Sequence, residues 1–238
     1  MEESLNLKPK EIKDFTKIIN EYIALQTSSS LSTLLVEQIT YKVMILDKKY
    51  FNPKNIRLST NELPMCGVRL SGKGDIHIEI CYAIKMKYAK MIAAKLLGKD
   101  KICEIDEMGA SAIQEVANIL TGSFFNAMSI GTGFRVDLST PDYMQGDLTS
   151  MVNDTAKDVI KPSESAIIAD TELVGEKSGI RIHMIIVQNS DDARKLLTTN
   201  GKDNSSEFSS IVDSRKYSTG SENTELDSLI EELQKEAN

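Results

Sequence analysis

The sequence predicts an α+β fold in which helices pack on one shared mixed β-sheet. Two observations carry this prediction. Segments with helical spacing of apolar residues alternate with hairpin-like pairs of strands, and this order of segments occurs twice along the chain. With 41% hydrophobic residues among 238, the chain can bury a sizeable core. We expect one compact domain over residues 1–203, with two repeats at about 8–100 and 104–203.

The first repeat is predicted to run helix, strand, hairpin, helix. Its segments are a helix or a broken helical pair over 9–36, strands at 40–51, 66–72 and 74–84, and a helix over 85–100. Pro9 suits the first turn of a helix, and the glycine-rich stretch SGKGD suits a tight hairpin turn. Gly98 is the predicted end of the last helix.

The second repeat is predicted to follow the same plan with one additional helix. Its segments are a helix over about 105–130, a strand at 134–139, a helix over 142–160, a hairpin over 164–188 and a helix over 190–203. We expect GTG (131–133) to end the first helix, Pro141 to break the strand and Ser190 to cap the last helix.

Two long stretches support an internal duplication. GDIHIEICYAIKMKYAKMIAAKLLGKD (74–100) and SGIRIHMIIVQNSDDARKLLTTNGKD (178–203) share strand alternation, a following Leu-Leu helix and a Gly-Lys-Asp ending. Their spacing is roughly 103 residues. The two repeats are therefore predicted to build their sheet together rather than as separate domains.

Charge and composition narrow the classes of function. The net charge of −7 and the absence of Trp argue against nucleic acid as the main partner, because phosphate backbones are bound by basic faces. The chain has neither an apolar run of about 18 residues nor a signal-peptide pattern, so we expect a cytoplasmic protein without membrane insertion. Cys66, Cys81 and Cys103 are widely spaced and are predicted to be reduced, buried thiols. Because both histidines lie in strand-like runs, we expect no metal site.

The segment ASAIQEVANILTGSFFNAMS (110–129) places an acid and an amide within an apolar helix. One helical face would present Ser111, Glu115, Asn118, Gly122 and Ser129. The opposite face would present seven apolar residues: Ile113, Val116, Ala117, Leu120, Phe124, Ala127 and Met128. No Lys or Arg occurs from residue 111 to 132, whereas a solvated helix usually carries pairs of opposite charges. We interpret the polar face as a surface kept clear for a partner.

The spacing of these residues resembles a known signature. Ser111-x3-Glu115-x2-Asn118, followed after 22 residues by Pro141, resembles the motif of the CheC/CheX/FliY phosphatases of bacterial and archaeal chemotaxis. The stretch EVANILTGSFFNAMS…GFRVDLSTP is similar to the second motif of the CheC type. The resemblance covers about residues 10–200 and implies a CheC-like fold. It also implies hydrolysis of the aspartyl-phosphate of a CheY-type response regulator.

The resemblance implies roles for individual residues. Asn118 would orient the attacking water and Glu115 would pair with a lysine of the receiver domain. The supporting positions and the apolar docking contacts that flank the pair are Ser111, Gly122, Pro141, Ile119 and Phe125. The protein would need no metal or cofactor of its own, because Mg²⁺ is expected in the partner receiver.

Another function stays open at this point. The chain could be a non-catalytic CheC-type binding module that regulates the receptor deamidase CheD or sequesters CheY. A flagellar switch component of the FliY kind would require a further C-terminal domain, for which the tail is too short.

The first repeat and the tail depart from the family pattern. In the first repeat no Glu is followed three positions later by Asn, so its site is predicted to be lost. Residues 204–238 are predicted to form a flexible tail that ends in a short amphipathic helix. The apolar positions of that helix are Leu226, Leu229, Ile230 and Leu233. TELDSLIEEL is similar to the peptide with which flagellar switch proteins bind phosphorylated CheY, so the tail is a predicted tether for the receiver.

Overall fold

The structure is a computed structural model that describes residues 7–47, 64–159 and 166–199. The helices are α1 (Pro9–Tyr22), α2 (Ser28–Leu35), α3 (Met86–Leu96), α4 (Glu107–Thr132), α5 (Leu148–Lys157) and α6 (Ser190–Thr199), and a π-helical segment (Ile23–Thr27) joins α1 to α2. The strands are β1 (Ile39–Asp47), β2 (Met65–Gly74), β3 (His77–Lys85), β4 (Val136–Leu138), β5 (Asp142–Gly146), β6 (Ala166–Gly175) and β7 (Arg181–Asn189). Within these ranges no helix is both long and apolar enough to cross a membrane. The predicted tail lies outside the described residues.

The seven described strands form one sheet in the order β1-β6-β7-β3-β2-β4, and β5 also pairs with β2. Every one of these pairings is antiparallel. The α+β class is confirmed, but the prediction of a mixed sheet is wrong. The strands of β2–β3 and β6–β7 are joined by short turns, which permit only antiparallel pairing. The two hairpins then meet antiparallel along β3 and β7.

The strand order reads alike from both edges, since β1-β6-β7 mirrors β4/β5-β2-β3. Strand β7 begins and ends 104 residues after β3, and α6 begins 104 residues after α3. Cys81 of β3 pairs directly with Ile185 of β7, its counterpart at that offset. A pseudo-twofold axis therefore passes through this pair, which is the arrangement that an internal duplication would produce.

The sheet buries apolar side chains on both of its faces. On one face, Ile78, Ile80, Tyr82 and Ile84 of β3 are at most 2% exposed, and α1–α4 and α6 contribute to the same core. On the other face, α5 packs over a smaller cluster from β2, β3, β6 and β7. Strand β3 is thus buried on both sides, which explains its nearly continuous apolar sequence.

The segment predicted as a helix over 142–160 is a strand followed by a helix, so that prediction is wrong. Asp142–Gly146 pairs with Met65–Arg69 of β2, and α5 begins only at Leu148. The side chain of Asp147 caps α5 by accepting a hydrogen bond from the Ser150 amide. Residues 142–146 form a strand because the outer edge of β2 has backbone groups free to pair with them. The two segments come close only in the folded chain.

Three predicted boundaries also move. Helix α4 continues through the first two residues of GTG and ends at Gly133, whose φ of 73° is left-handed. The strand predicted at 134–139 is shortened to Val136–Leu138. The residue that caps α6 is Asn189 rather than Ser190, since its Oδ1 accepts a hydrogen bond from the Asp192 amide at 2.8 Å.

Helix α2 ends at a strained residue. Val36 follows α2 with a left-handed φ of 50° and is 76% exposed. The residue that follows α4 also has a left-handed φ, but it is a glycine. The following residue, Glu37, fixes this turn by accepting hydrogen bonds from the backbone amides of Lys177 and Ser178 and from the Ser178 hydroxyl. Burial alone would raise the pKa of Glu37, but these hydrogen bonds outweigh burial and lower it. The clamp from Glu37 therefore holds a valine in a conformation that costs a β-branched residue free energy.

We expect Val36→Gly to raise the free energy of unfolding by about 1 kcal/mol, because glycine adopts a left-handed φ without a Cβ clash. Urea denaturation would measure the gain. Val36→Ala is the matched control, since it removes the exposed apolar group but keeps the Cβ. Equal gains in the two variants would show that backbone strain is not the cause.

The three cysteines differ in exposure. Cys66 and Cys81 are buried, as predicted, but Cys103 is exposed, so the prediction is wrong for that residue. Cys103 lies in the irregular segment between α3 and α4, where no strand or helix covers it. Burial raises the pKa of Cys66 to about 12 and that of Cys81 to about 11.

A thiol-disulfide reagent at pH 8 should therefore modify one cysteine of the native protein quickly and all three only after denaturation, because only the thiolate reacts. Cys103→Ser should abolish the fast phase. A fast phase that survives this substitution would contradict the burial of the other two thiols.

Candidate active site

Helix α4 is 26 residues long, and its buried side matches the sequence prediction. Its start is fixed by Asp106, whose Oδ1 accepts a hydrogen bond from the Gly109 amide at 2.8 Å. The seven predicted apolar positions are each at most 2% exposed: Ile113, Val116, Ala117, Leu120, Phe124, Ala127 and Met128. The Phe124 ring packs edge-on against Tyr22 of α1 with a centroid distance of 5.8 Å. This packing holds α4 rigidly on the sheet.

The opposite side of α4 carries the predicted polar residues. Glu115, Asn118, Gly122 and Ser129 are half-buried and Ser111 is exposed, so none of them is enclosed in the core. Residues three positions apart on a helix differ by about 60° around its axis. Glu115 and Asn118 therefore project side by side from the same face.

The side chains of the acid and the amide have no polar partner among the residues that the structure describes. The side chains of Glu115 and Asn118 form no hydrogen bond or ion pair with any other residue that the structure describes. Neighbouring polar side chains of α4 do form such contacts. Ser111 Oγ donates to the Glu107 carbonyl at 2.9 Å, and Gln114 Nε2 donates to the Pro141 carbonyl at 2.8 Å. The carboxylate of Glu115 and the carboxamide of Asn118 are thus both available to a bound molecule.

Gly122 lies one turn beyond Asn118 on the same face. A Cβ placed on Gly122 would meet no atom of the described residues within 4 Å, apart from the adjacent backbone of α4 itself. Core packing therefore does not require a glycine in the middle of this helix, where glycine costs about 1 kcal/mol relative to alanine. An open surface above the helix agrees with the prediction that a partner approaches here.

The two apolar residues predicted to flank the pair differ in position. Ile119 is half-buried at the edge of the polar face. Phe125 is only 6% exposed, so the prediction that it adds docking area is wrong. Its ring lies against Gly72 of β2, where the absence of a side chain leaves room for it, and packs edge-on against Phe124. The burial of Phe125 depends on a glycine in a distant strand, and the local helical pattern of α4 carries no information about that glycine.

Pro141 lies between β4 and β5 and contacts α4 through its carbonyl group. Gln114, which makes this contact, is not among the predicted site residues. Its position directly before Glu115 is the only local signal. The predicted tether residues Leu226, Leu229, Ile230 and Leu233 lie outside the described residues.

The corresponding helix of the first repeat has no free acid–amide pair. Asn20 Nδ2 donates to the Thr16 carbonyl one turn earlier at 2.9 Å. Glu21 forms an ion pair with Lys17 at 3.8 Å. Both polar groups thus interact within α1, in contrast to the free groups of Glu115 and Asn118.

The chain combines a long helix, which presents a carboxylate and a carboxamide, with an antiparallel sheet. Residues 108–144 match the CheC-like family, and this segment contains Glu115, Asn118 and Pro141. The resemblance to the CheC/CheX/FliY family is confirmed.

Individual proteins are also similar to this chain over most of its length. The CheY-P phosphatase CheC of Bacillus subtilis (strain 168) is 21% identical over 199 residues, which cover 81% of this chain and 95% of that protein. The crystal structure of Thermotoga maritima FliY has a TM-score of 0.64 at 20% identity and covers 82% of this chain and 98% of that one. The FliM middle domain from H. pylori has a TM-score of 0.54 at 14% identity and covers 81% and 99%. These structures share the fold with this chain.

We expect Gly122→Ala to raise the free energy of unfolding by about 0.5–1 kcal/mol, because alanine favours the helix and its methyl group meets open space. Thermal or urea denaturation would measure the gain. The matched control is Gly72→Ala, which should destabilise the protein because the added methyl group meets the Phe125 ring. A loss of stability in Gly122→Ala would mean that the face above α4 is not open.

Proposed function

We propose that the protein is a chemotaxis phosphatase that hydrolyses the aspartyl-phosphate of a CheY-type receiver. The observation that carries the proposal is the free acid–amide pair of Glu115 and Asn118 within the CheC-like segment of α4. The activity named for the related B. subtilis protein supports it. The receiver would supply the phosphoryl group, the Mg²⁺ ion and a lysine, so the phosphatase would supply only positioning groups.

Asn118 is proposed to position the attacking water. A carboxamide can accept one hydrogen bond and donate another, so it can hold a water in line with the phosphorus atom. The water oxygen bonds to phosphorus as the bond to the aspartyl oxygen breaks, which releases inorganic phosphate and restores the carboxylate. Phosphoryl transfer passes through a loose transition state, and catalysis therefore depends mainly on positioning and charge stabilisation. Asn118 has no pKa suited to proton abstraction and is not proposed as a base.

Glu115 is proposed to bind the receiver rather than the phosphoryl group. A carboxylate directed at a phosphoryl dianion would repel it, whereas an ion pair with the receiver lysine would be attractive. This contact would fix the register in which the receiver docks. Because Glu115 and Asn118 project from one rigid helix, the ion pair would also set the position of the Asn118 amide.

The surroundings of the pair suit a docked protein. The open space above Gly122 would admit the backbone of the receiver, and the half-buried Ile119 would add apolar contact.

The tail over 204–238 is proposed as a tether that raises the local concentration of the receiver near α4. CheD is a further proposed partner of the kind expected for a CheC-type protein.

We expect Asn118→Ala to lower the saturated rate of receiver dephosphorylation about a hundredfold or more, since it removes the group that holds the water. Its affinity for the receiver should change little. Glu115→Ala should lose both affinity and rate. The measurement is phosphate release from a Mg²⁺-loaded, phosphorylated cognate receiver under single-turnover conditions, together with binding to a beryllofluoride-activated receiver.

Asn20→Ala and Glu21→Ala are matched controls, because they remove an amide and an acid from the first repeat. Both should act like the wild type. Gly122→Ala should weaken binding despite its greater stability. Receiver binding by the wild type without any acceleration, also in the presence of CheD, would instead support a non-catalytic binding module.

A further inference from the structure

The edge of the sheet next to α4 contains a bulge, formed by Ser139, Thr140 and Pro141. Strand β4 pairs with Gly72–Gly74 of β2, and β5 pairs with Met65–Arg69. The residues between the two edge strands follow no regular ladder. The bulge thus interrupts what would otherwise be a single edge strand along β2.

Both ends of the bulge are fixed to β2. At its start, the Ser139 amide donates to the Ser71 carbonyl at 2.8 Å, and the Ser71 amide donates to Ser139 Oγ at 2.9 Å. At its end, Asp142 lies opposite Arg69 and forms an ion pair with it at 3.9 Å. Because both of its ends are held by β2, the backbone of the bulge can adopt only a limited range of conformations.

Proline explains why the ladder breaks at this place. Pro141 has no amide hydrogen to donate to β2, and it restricts Thr140 to an extended conformation. Bulges of this kind occur at sheet edges and beside active sites, where they redirect the chain. The Pro141 carbonyl is directed to α4 and accepts the hydrogen bond from Gln114 Nε2 at 2.8 Å.

Gln114 links the bulge to the functional face of α4. It directly precedes Glu115, and it lies four positions before Asn118, which places the two side chains about 40° apart around the helix. Glu115 is about 100° from Gln114. The bulge is consequently held beside Asn118, at the side of the site away from Glu115.

We propose that Gln114 is a positioning residue, which holds the bulge over Ser139–Pro141 as a wall beside Asn118. This inference rests on the proposed function. The wall would limit the motion of the Asn118 carboxamide and of the water that it holds, while Glu115 would dock the receiver independently. Loss of the Gln114 hydrogen bond should therefore reduce the rate of the chemical step rather than affinity for the receiver.

The experiment compares Gln114→Leu and Gln114→Glu with the wild-type full-length protein. Both variants remove the amide donor, and the second keeps nearly the same shape. Each should lower the saturated dephosphorylation rate roughly tenfold, since a small misplacement of reacting groups is costly, and should leave half-saturation within about twofold. Gln114→His should restore most of the rate, because its ring Nε2 can donate to the Pro141 carbonyl.

Asn126→Leu is the matched control. Asn126 Nδ2 donates to Gln26 Oε1 at 2.8 Å, so this variant also loses an amide hydrogen bond between α4 and another element. Asn126 lies about 12 Å along the helix from Asn118, and the rate of its variant should equal that of the wild type. Melting temperatures of all variants would separate loss of rate from loss of folding.

Three outcomes are distinguishable. A wild-type protein that does not accelerate receiver dephosphorylation would refute the proposed function. An active wild type with unchanged rates in Gln114→Leu and Gln114→Glu would refute only the role of Gln114. An equal loss of rate in Asn126→Leu, or no rescue by Gln114→His, would show a general structural effect and would also overturn the inference.

Discussion

The antiparallel pairing of β3 with β7 is the interaction on which the rest of the structure depends. It joins two hairpins that would each be marginally stable alone, and it converts them into one sheet with two buried faces. Cys81 opposite Ile185 marks the centre of this pairing. Because the pseudo-twofold axis runs through the sheet, the long helical segments of both repeats lie on the same face, where α1 and α4 pack together through Tyr22 and Phe124.

The scaffold is nearly symmetric, but its chemistry is not. In the second repeat, the side chains of Glu115 and Asn118 form no hydrogen bond or ion pair with the described residues. In the first, Asn20 is bound to its own helix and Lys17 pairs with Glu21. A π-helical segment also separates α1 from α2, whereas α4 is continuous. Both repeats thus contribute to the sheet and the core, but only the second carries the proposed site.

Helix α4 is rigid and yet has an open outer face, two properties that usually conflict. Its apolar side makes it a rigid part of the core, and its other side presents partly exposed polar groups and a glycine that packing does not require. The two edge strands beside α4 are separated by a bulge at Pro141, because proline has no amide hydrogen for a regular ladder. Rigidity comes from packing and openness from small side chains, so the two properties occur on opposite sides of one element.

Local periodicity was enough to predict the class of fold, most of the elements and the two faces of α4. Glu115 and Asn118 lie on the outer side of this helix, while Ile113 and Leu120 lie in the core. Tertiary structure alone decided the conformation of Asp142–Gly146, the burial of Phe125 and the role of Gln114. Each of these depends on β2, through its free edge, through Gly72 or through the bulge opposite Ser71. The physical reason is that β2 is at least 40 residues away from each of them in the chain, so no local pattern records its proximity.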